Sequence, residues 1–388
     1  MSQYDALLAA VRRDPDDAAA WGVLQDWLLA HEDPRGALAQ LEGDALVAKL
    51  TELLPAWFER EVHPLAAAGG WGVRRHLVTE QDVGVRFAGD DGDPDEGPSV
   101  ELVFQHGHVR KLVVTTNWDG DREDWGQEWS YPLIDRILSH PVGQVVVDIE
   151  LRATPYEDFD YAGMVEAVTA HAPLAVRRFY AGDDDQLSWT VVPDARTLWA
   201  AAPDLEEAML EGSQIQIGDP SHPKLRKLHL VSGGLPQEPV HALATAELPA
   251  LEDLEVWFGS SDYGAECTLA DAQRLVERDF PALRRMGLAN SEFADALVPL
   301  LPTAPWLPRV RELSLWGSAL TDDGGRALLA IADALDHLEG LDLSRCYLTE
   351  PVQAELVARF GERVKLADQR RPYQRHDGTL RYYASVGE

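Results

Sequence analysis

Nine hexapeptides with apolar residues at positions 1, 4 and 6 run through this chain. They are VRKLVV (109–114), VVDIEL (146–151), VRRFYA (176–181), LEEAML (205–210), LRKLHL (225–230), LEDLEV (251–256), LRRMGL (283–288), VRELSL (310–315) and LEGLDL (338–343). Most begin about 26 to 32 residues after the one before, an order that scattered leucine and valine do not produce. Pro203, Pro223, Pro249, Pro281 and Pro308 each stand two residues before position 1. Proline there ends a preceding helix without removing an amide needed inside a strand.

Between the hexapeptides, DYAGMVEAVTAHA, TLADAQRLVERDF, DDGGRALLAIADALDH and EPVQAELVARF carry apolar residues at three- and four-residue intervals, the amphipathic helix period. Strand, turn, helix, proline and next strand, repeated, predict an α/β solenoid: a curved parallel sheet on one side and helices on the other. Each layer buries its apolar positions only against its neighbours, so the unit is viable only in an array.

LEGLDLSRCYLTEPVQAEL and VRELSLWGSALTDDGGRALL resemble leucine-rich repeats of the ribonuclease-inhibitor kind, with Cys346 and Ser318 in the slot where that family carries Asn or Cys. The resemblance spans roughly residues 100 to 366 and is strongest from Leu225 to Leu343. The stretch LLAAVRRDPDDAAAWGVLQDWLLAHEDPRGALAQL is similar to a short helical module that accompanies repeat proteins in bacteria, on the phrases DPDD, QDWL and DPRG. Gln25 and Leu29-Ala30 depart from the usual form of that module, which is named for its company and implies no activity.

Four segments follow from this reading. Residues 1–70 form the helical module and a linker, with Trp21 and Trp27 in its core and Asp14 to Asp17 capping a helix. Residues 71–108 form a β-rich cap, in which VELVFQHGHVRKLVV turns near His106-Gly107 and covers the open edge of the first repeat strand. Residues 109–366 are the solenoid, and 367–388 a C-terminal cap or tail.

The 34 Lys and Arg face 66 Asp and Glu, for a formal charge of -32. Such a chain repels phosphate backbones and anionic head groups, which argues against nucleic acid and membrane surfaces. A basic protein partner is electrostatically easier, and an acidic surface that mainly keeps the protein in solution is the favoured competing reading. Only Cys267 and Cys346 occur, far apart, and no run of about 18 apolar residues exists. This supports no disulfide framework or thiolate metal site, and a reducing cytoplasm is the expected compartment.

Positions 2 and 3 of successive hexapeptides read Arg110-Lys111, Val147-Asp148, Arg177-Arg178, Glu206-Glu207, Arg226-Lys227, Glu252-Asp253, Arg284-Arg285, Arg311-Glu312 and Glu339-Gly340. The sign alternates from strand to strand through the first seven hexapeptides and then fades, so in register each basic pair has acidic neighbours and a ladder forms across the sheet. Since every basic pair is flanked by carboxylates, the ladder reading outweighs a grip on an acidic ligand.

Positions 5, 7 and 8 remain for contacts, and the conspicuous residues there are Glu150, Arg152, Tyr180, Glu211, His229, Glu255, Trp257, Phe258, Trp316 and Asp342. Trp257 and Trp316 hold the same slot two repeats apart, about 10 Å by strand spacing. Aromatic and charged groups together on a rigid concave face have the composition of a protein-binding hot spot. Packing over the loop GSSDYGAE is the competing role for Trp257 and Phe258, and the same choice stands for Trp118, Trp125 and Trp129.

No P-loop or HExxH occurs, neither cysteine has a nucleophile's motif, and DDGDPDEG lacks the acid spacing of a calcium loop. His106-x-His108 binds a metal only with a distant third ligand, so both are read as turn residues. The expectation is a non-catalytic recognition protein needing no metal or cofactor. An inhibitor or immunity protein against a basic toxin or nuclease, and a regulator of a small GTPase, are the alternatives.

Overall fold

The computed structural model describes residues 2–38, 40–57, 71–79, 82–89, 99–117, 127–154, 159–182, 187, 190–191 and 194–386. The acidic stretch 90–97, Trp118 and Trp125 lie outside the described residues, as does the side chain of Trp129. Strands in chain order are β1 (Trp71–Leu77), β2 (Val83–Gly89), β3 (Ser99–Gln105), β4 (His108–Asn117), β5 (Asp148–Thr154), β6 (Phe159–Asp160), β7 (Arg178–Gly182), β8 (Thr190–Val191), β9 (Glu207–Glu211), β10 (Lys227–Val231), β11 (Asp253–Gly259), β12 (Arg285–Ser291), β13 (Glu312–Ser314), β14 (Gly340–Asp342), β15 (Val364–Lys365), β16 (Tyr373–Gln374) and β17 (Leu380–Arg381).

Contacts divide the chain into two compact units, Met1–Tyr156 with Tyr161–Ala181 and Ala200–Leu205, and Glu157–Asp160 with Gly182–Trp199 and Glu206–Glu388. The division falls inside 109–366. All three apolar positions of all nine hexapeptides are at most 3% exposed, so each hexapeptide is core by its own pattern. The five punctuating prolines are all exposed.

In the first unit the strand order is β1-β2-β3-β4-β5-β7. β1 to β4 pair antiparallel, and β4 pairs parallel with β5, Lys111 opposite Asp148. Four helices precede them: Gln3–Arg13, Ala18–Ala30, Arg35–Leu38 and Gly43–Trp57. Asp17 caps the second by accepting the Ala19 and Ala20 amides. Leu8, Val11, Trp21, Leu24 and Leu28 form one buried cluster with Val145, just ahead of β5. The acidic turn between the first two helices is clipped to the sheet. Arg110 Nη2 lies 3.2 Å from Asp16, and Arg177 pairs with Asp14 at 3.1 Å and with Asp16.

The second unit holds β9-β10-β11-β12-β13-β14-β15, all parallel, with the small pairs β6/β8 and β16/β17. Position 3 faces position 3 throughout: Glu207, Lys227, Asp253, Arg285, Glu312 and Gly340 lie in register. The alternating ladder exists as ion pairs. Arg226 meets Glu252 at 2.8 Å, Arg285 meets Asp253 at 2.9 Å, and Arg311 meets Glu339 at 2.5 Å. In the first unit Asp148 takes both Arg178 at 3.1 Å and Lys111 at 3.8 Å. Each exposed pair contributes about 0 to 1 kcal/mol, so the ladder sets register more than stability. Lys227→Glu, which lines up three acids in register, is expected to cost about 1 kcal/mol in urea melts at low salt. Most of that cost should vanish in ~0.5 M salt, where screening is short-ranged; a salt-independent loss would point to packing instead.

In two layers the ninth position closes the layer onto the one before. Ser318 Oγ accepts the Ser291 amide at 3.1 Å, and the Cys346 thiol donates to the Leu315 carbonyl at 3.4 Å. Helix starts are closed the same way. Asp295 accepts the Thr321 amide (2.8 Å), the Thr321 hydroxyl (2.6 Å) and the Gly324 amide (3.1 Å) at the head of helix Asp322–Ala330. Asp322 in turn accepts the amide and hydroxyl of Thr349, both at 2.8 Å, before helix Glu350–Phe360. Among the described residues no helix is long and apolar enough to cross a membrane.

Candidate functional site

Parallel pairing puts positions 5 and 7 of successive strands in rows on one face. In the second unit the fifth-position row runs Met209, His229, Glu255, Gly287, Ser314 and Asp342. Gly287 sits directly across from Glu255, and a Cβ there would lie 2.1 Å from Glu255 Oε2. The missing side chain is the space in which the Glu255 carboxylate lies, and the residue is only 5% exposed.

That carboxylate is held from two sides. Arg285 Nη2 lies 2.6 Å from Oε2, and the Trp257 indole N–H donates to Oε1 at 2.8 Å. Arg285 also bonds Asp253, whose Oδ1 lies 3.0 Å from His229 Nε2. Burial alone would push the Asp253 carboxyl up, but the His229 hydrogen bond and the Arg285 charge more than offset this and hold it low. Burial works against the Arg285 charge in the same way, and Glu255 and Asp253 hold it on.

Trp257 and Trp316 stack with ring centroids 4.7 Å apart and planes at 28°. Strand spacing alone gives about 10 Å for residues two strands apart. The difference comes from Ala289, which faces Trp257 on the intervening strand and is too small to keep the rings apart. Both rings are half-buried, and the Arg345 guanidinium lies 5.3 Å over Trp316. His229, Asp253, Arg285, Glu255, Trp257, Trp316 and Arg345 thus form one continuous patch.

Phe258 is corrected by the structure: it is 1% exposed and packs edge-on against Phe293, centroids 5.1 Å apart, because position 8 points away from position 7 and into the core. Glu211 is buried beside Gly182. Asp342 lies half-buried in the same row, its Oδ1 accepting the Ser344 amide at 2.9 Å. Residues missed by the sequence reading are Arg285, read only as a rung of the ladder, and Arg345, which follows a position 7 without standing out.

Glu150, Arg152 and Tyr180 belong to the first unit. Glu150 pairs with Lys111 and with Arg152 at 2.7 Å, and those two hydrogen bonds outweigh burial and hold its carboxyl below the usual range. Arg152 lies 5.5 Å over the Tyr180 ring. Glu150, Arg152 and Lys111 line one side of an open cleft of about 460 Å³, together with Arg86, Ser99 and Glu101.

Burial pushes the thiols of Cys267 and Cys346 up to about 12, so both are protonated at neutral pH. His106 stands in the turn at positive φ, its ring 4.9 Å from that of Trp21. His108 is fully buried, 5.3 Å from the same indole. Among the described residues, no three His, Cys, Asp or Glu side chains are placed to hold a metal ion.

No family model matches the chain. A protein of Arabidopsis thaliana named as an F-box/LRR-repeat protein is 33% identical over 133 residues, which is 32% of this chain. The match spans 26% of that relative's own length. A crystal structure of a Bacteroides fragilis protein superposes with a TM-score of 0.56 at 20% identity, covering 77% of this chain and 93% of that one. The chain is similar in sequence to a leucine-rich-repeat protein over about a third of its length, and it shares with a solved protein a mixed α/β fold of mostly parallel strands and outer helices.

Proposed function

We propose that the chain is a non-catalytic recognition protein that binds a protein partner on the strand face carrying Trp257 and Trp316. The stacked, half-exposed tryptophans are the observation that carries this reading. Interfaces draw most of their energy from a few such aromatic anchors, and anchors already fixed in place lose little freedom on binding. The pair here is fixed by stacking and by Glu255, which Arg285 holds. The similarity to a leucine-rich-repeat protein supports a protein partner in general.

The formal charge of -32 favours a basic partner over nucleic acid or a membrane surface, and two free cysteines suit a reducing cytoplasm. A partner enzyme silenced by binding would make the chain an inhibitor or immunity protein.

The test compares wild type with Trp257→Ala/Trp316→Ala against one partner captured by the wild type and identified by mass spectrometry. Two anchors worth about 2 kcal/mol each predict a loss of about 1,000-fold in affinity, with the circular dichroism spectrum of the folded chain retained. The same partner held at the same affinity would remove this face from consideration. A basic partner also predicts affinity that falls steeply as salt rises.

A further inference from the structure

After β15 the chain does not stop at the last layer. It returns across the ends of four earlier strands, β11 to β14, along a rim that at Asn290 and Gly317 lies one position beyond the tryptophan row. Arg381 pairs with Asp262. The Tyr347 hydroxyl donates to the Tyr383 carbonyl at 3.1 Å and accepts the Tyr383 amide at 3.3 Å. The Arg370 guanidinium lies between the two rings, 4.6 Å from Tyr347 and 4.7 Å from Tyr383. The Ser385 amide donates to the Gly317 carbonyl at 2.7 Å.

Asn290 then reads the backbone of Val386 on both edges. Its Oδ1 accepts the Val386 amide at 2.9 Å, and its Nδ2 donates to the Val386 carbonyl at 2.8 Å and to Ser232 at 3.2 Å. A side-chain amide bonded to both the N–H and the C=O of one residue imitates a neighbouring strand. Asn290 is fully buried and held at positive φ, which aims the amide at the rim. Gly317, also at positive φ, leaves the space that Ser385 fills, since a Cβ there would sit 2.9 Å from Ser385 Cβ.

The returning segment is held by its backbone more than by its side chains. Ala384 is buried at 2% exposure, whereas Leu380, Tyr382 and Tyr383 are exposed. Main-chain bonds accept many sequences, with selectivity coming from the few side chains seated in pockets. Here those are an Arg facing Asp262, a Tyr against Tyr347 and Arg370, and a small residue after it.

We propose that this rim is a peptide-recognition site, occupied in cis by Arg381–Val386, and that a partner protein engages it by presenting an extended segment of the same order: Arg, two aromatics, a small residue. The tether gives the resident segment an effective concentration in the millimolar range, so an incoming peptide meets competition from the start. The site is separate from the tryptophan face and stands whether or not that face binds anything.

Fluorescence anisotropy of a labelled peptide spanning residues 379–388, titrated with full-length protein, tests this. Val386→Pro removes the amide that Asn290 accepts from the resident while leaving the probe peptide intact. That variant is expected to bind the peptide at least ~10-fold more tightly than wild type, because the competitor is weakened. Asn290→Gly keeps the positive-φ backbone but removes the clamp, and in the Val386→Pro chain it is expected to lose the gain. Arg381→Glu supplies a second way of loosening the resident and predicts the same gain. Peptide affinity unmoved by both tail variants, or retained without the Asn290 amide, overturns the proposal.

Discussion

Arg285→Ala is expected to lower the free energy of unfolding by about 3 kcal/mol, the size found when one partner of a buried ion pair is removed. Arg285 meets Asp253 at 2.9 Å, Glu255 at 2.6 Å and Glu312 at 3.7 Å. The Asp253 and Glu312 contacts reach solvent and contribute little. The Glu255 side chain is 7% exposed, so losing the guanidinium strands a buried carboxylate with the Trp257 indole as its remaining hydrogen-bond donor among the contacts described. The arginine is itself 32% exposed, which places the loss at the lower end of the range for buried pairs. Urea denaturation of Arg285→Ala and of Arg285→Ala/Glu255→Gln separates charge from packing. The double variant should recover about half the loss, because an amide no longer carries a buried charge. A single variant within about 1 kcal/mol of wild type would show that the Glu255 charge needs no partner.

The second large effect is one of pH. Burial pushes the His108 imidazole down to about 4 from 6.5, and the opposing pull of the His106 carbonyl and Asp33 does not offset it. The neighbouring charges are Arg35, Asp33 and His106, and the Trp21 ring lies against it. Its Nδ1 sits 3.0 Å from the His106 carbonyl, so that nitrogen carries the proton and Nε2 is a buried lone pair. A folded-state value below the unfolded one means that acid favours the unfolded chain, which takes up the proton first. The contribution is whole above about pH 6.5 and is lost as pH falls toward 4, in total about 3 kcal/mol for a shift of this size. Asp253 and Asp33, held below their ordinary values, lose their contributions only at lower pH, so the windows separate. His108→Gln keeps a donor for the His106 carbonyl and removes the titration. Its stability should be flatter than wild type between pH 6.5 and 4, and an unchanged slope would assign the loss to other groups.

The hexapeptides were readable because positions 1, 4 and 6 are a local consequence of a short strand feeding a turn, and burial follows the pattern without exception. The ladder was readable too, since register follows once equivalent positions pair. What lay beyond the pattern depends on small residues and distant partners. Ala289 brings two tryptophans into contact, and Gly287 houses Glu255; both look like mere gaps in a list of conspicuous side chains. Phe258 beside Trp257 could not be assigned a face from two adjacent aromatics alone. Arg110 and Arg177 turn toward Asp16 and Asp14 in the helical segment, a pairing across about 94 to 163 residues that no periodicity reports. Asn290 at the eighth position reads as an ordinary turn residue until the chain returns to it.

The carboxylates that close helix starts across layers bear on how this chain tolerates recombination. Asp295 serves Thr321 and Gly324, and Asp322 serves Thr349, so the donors of one module answer acceptors in its predecessor. A graft cut from strand to strand keeps each hexapeptide whole yet imports a helix head whose acid was left behind. Cassettes for shuffling should therefore begin ahead of an acid such as Asp295 and run past the threonine it serves, and a donor module whose helix opens without Thr will seat poorly however well its leucines match.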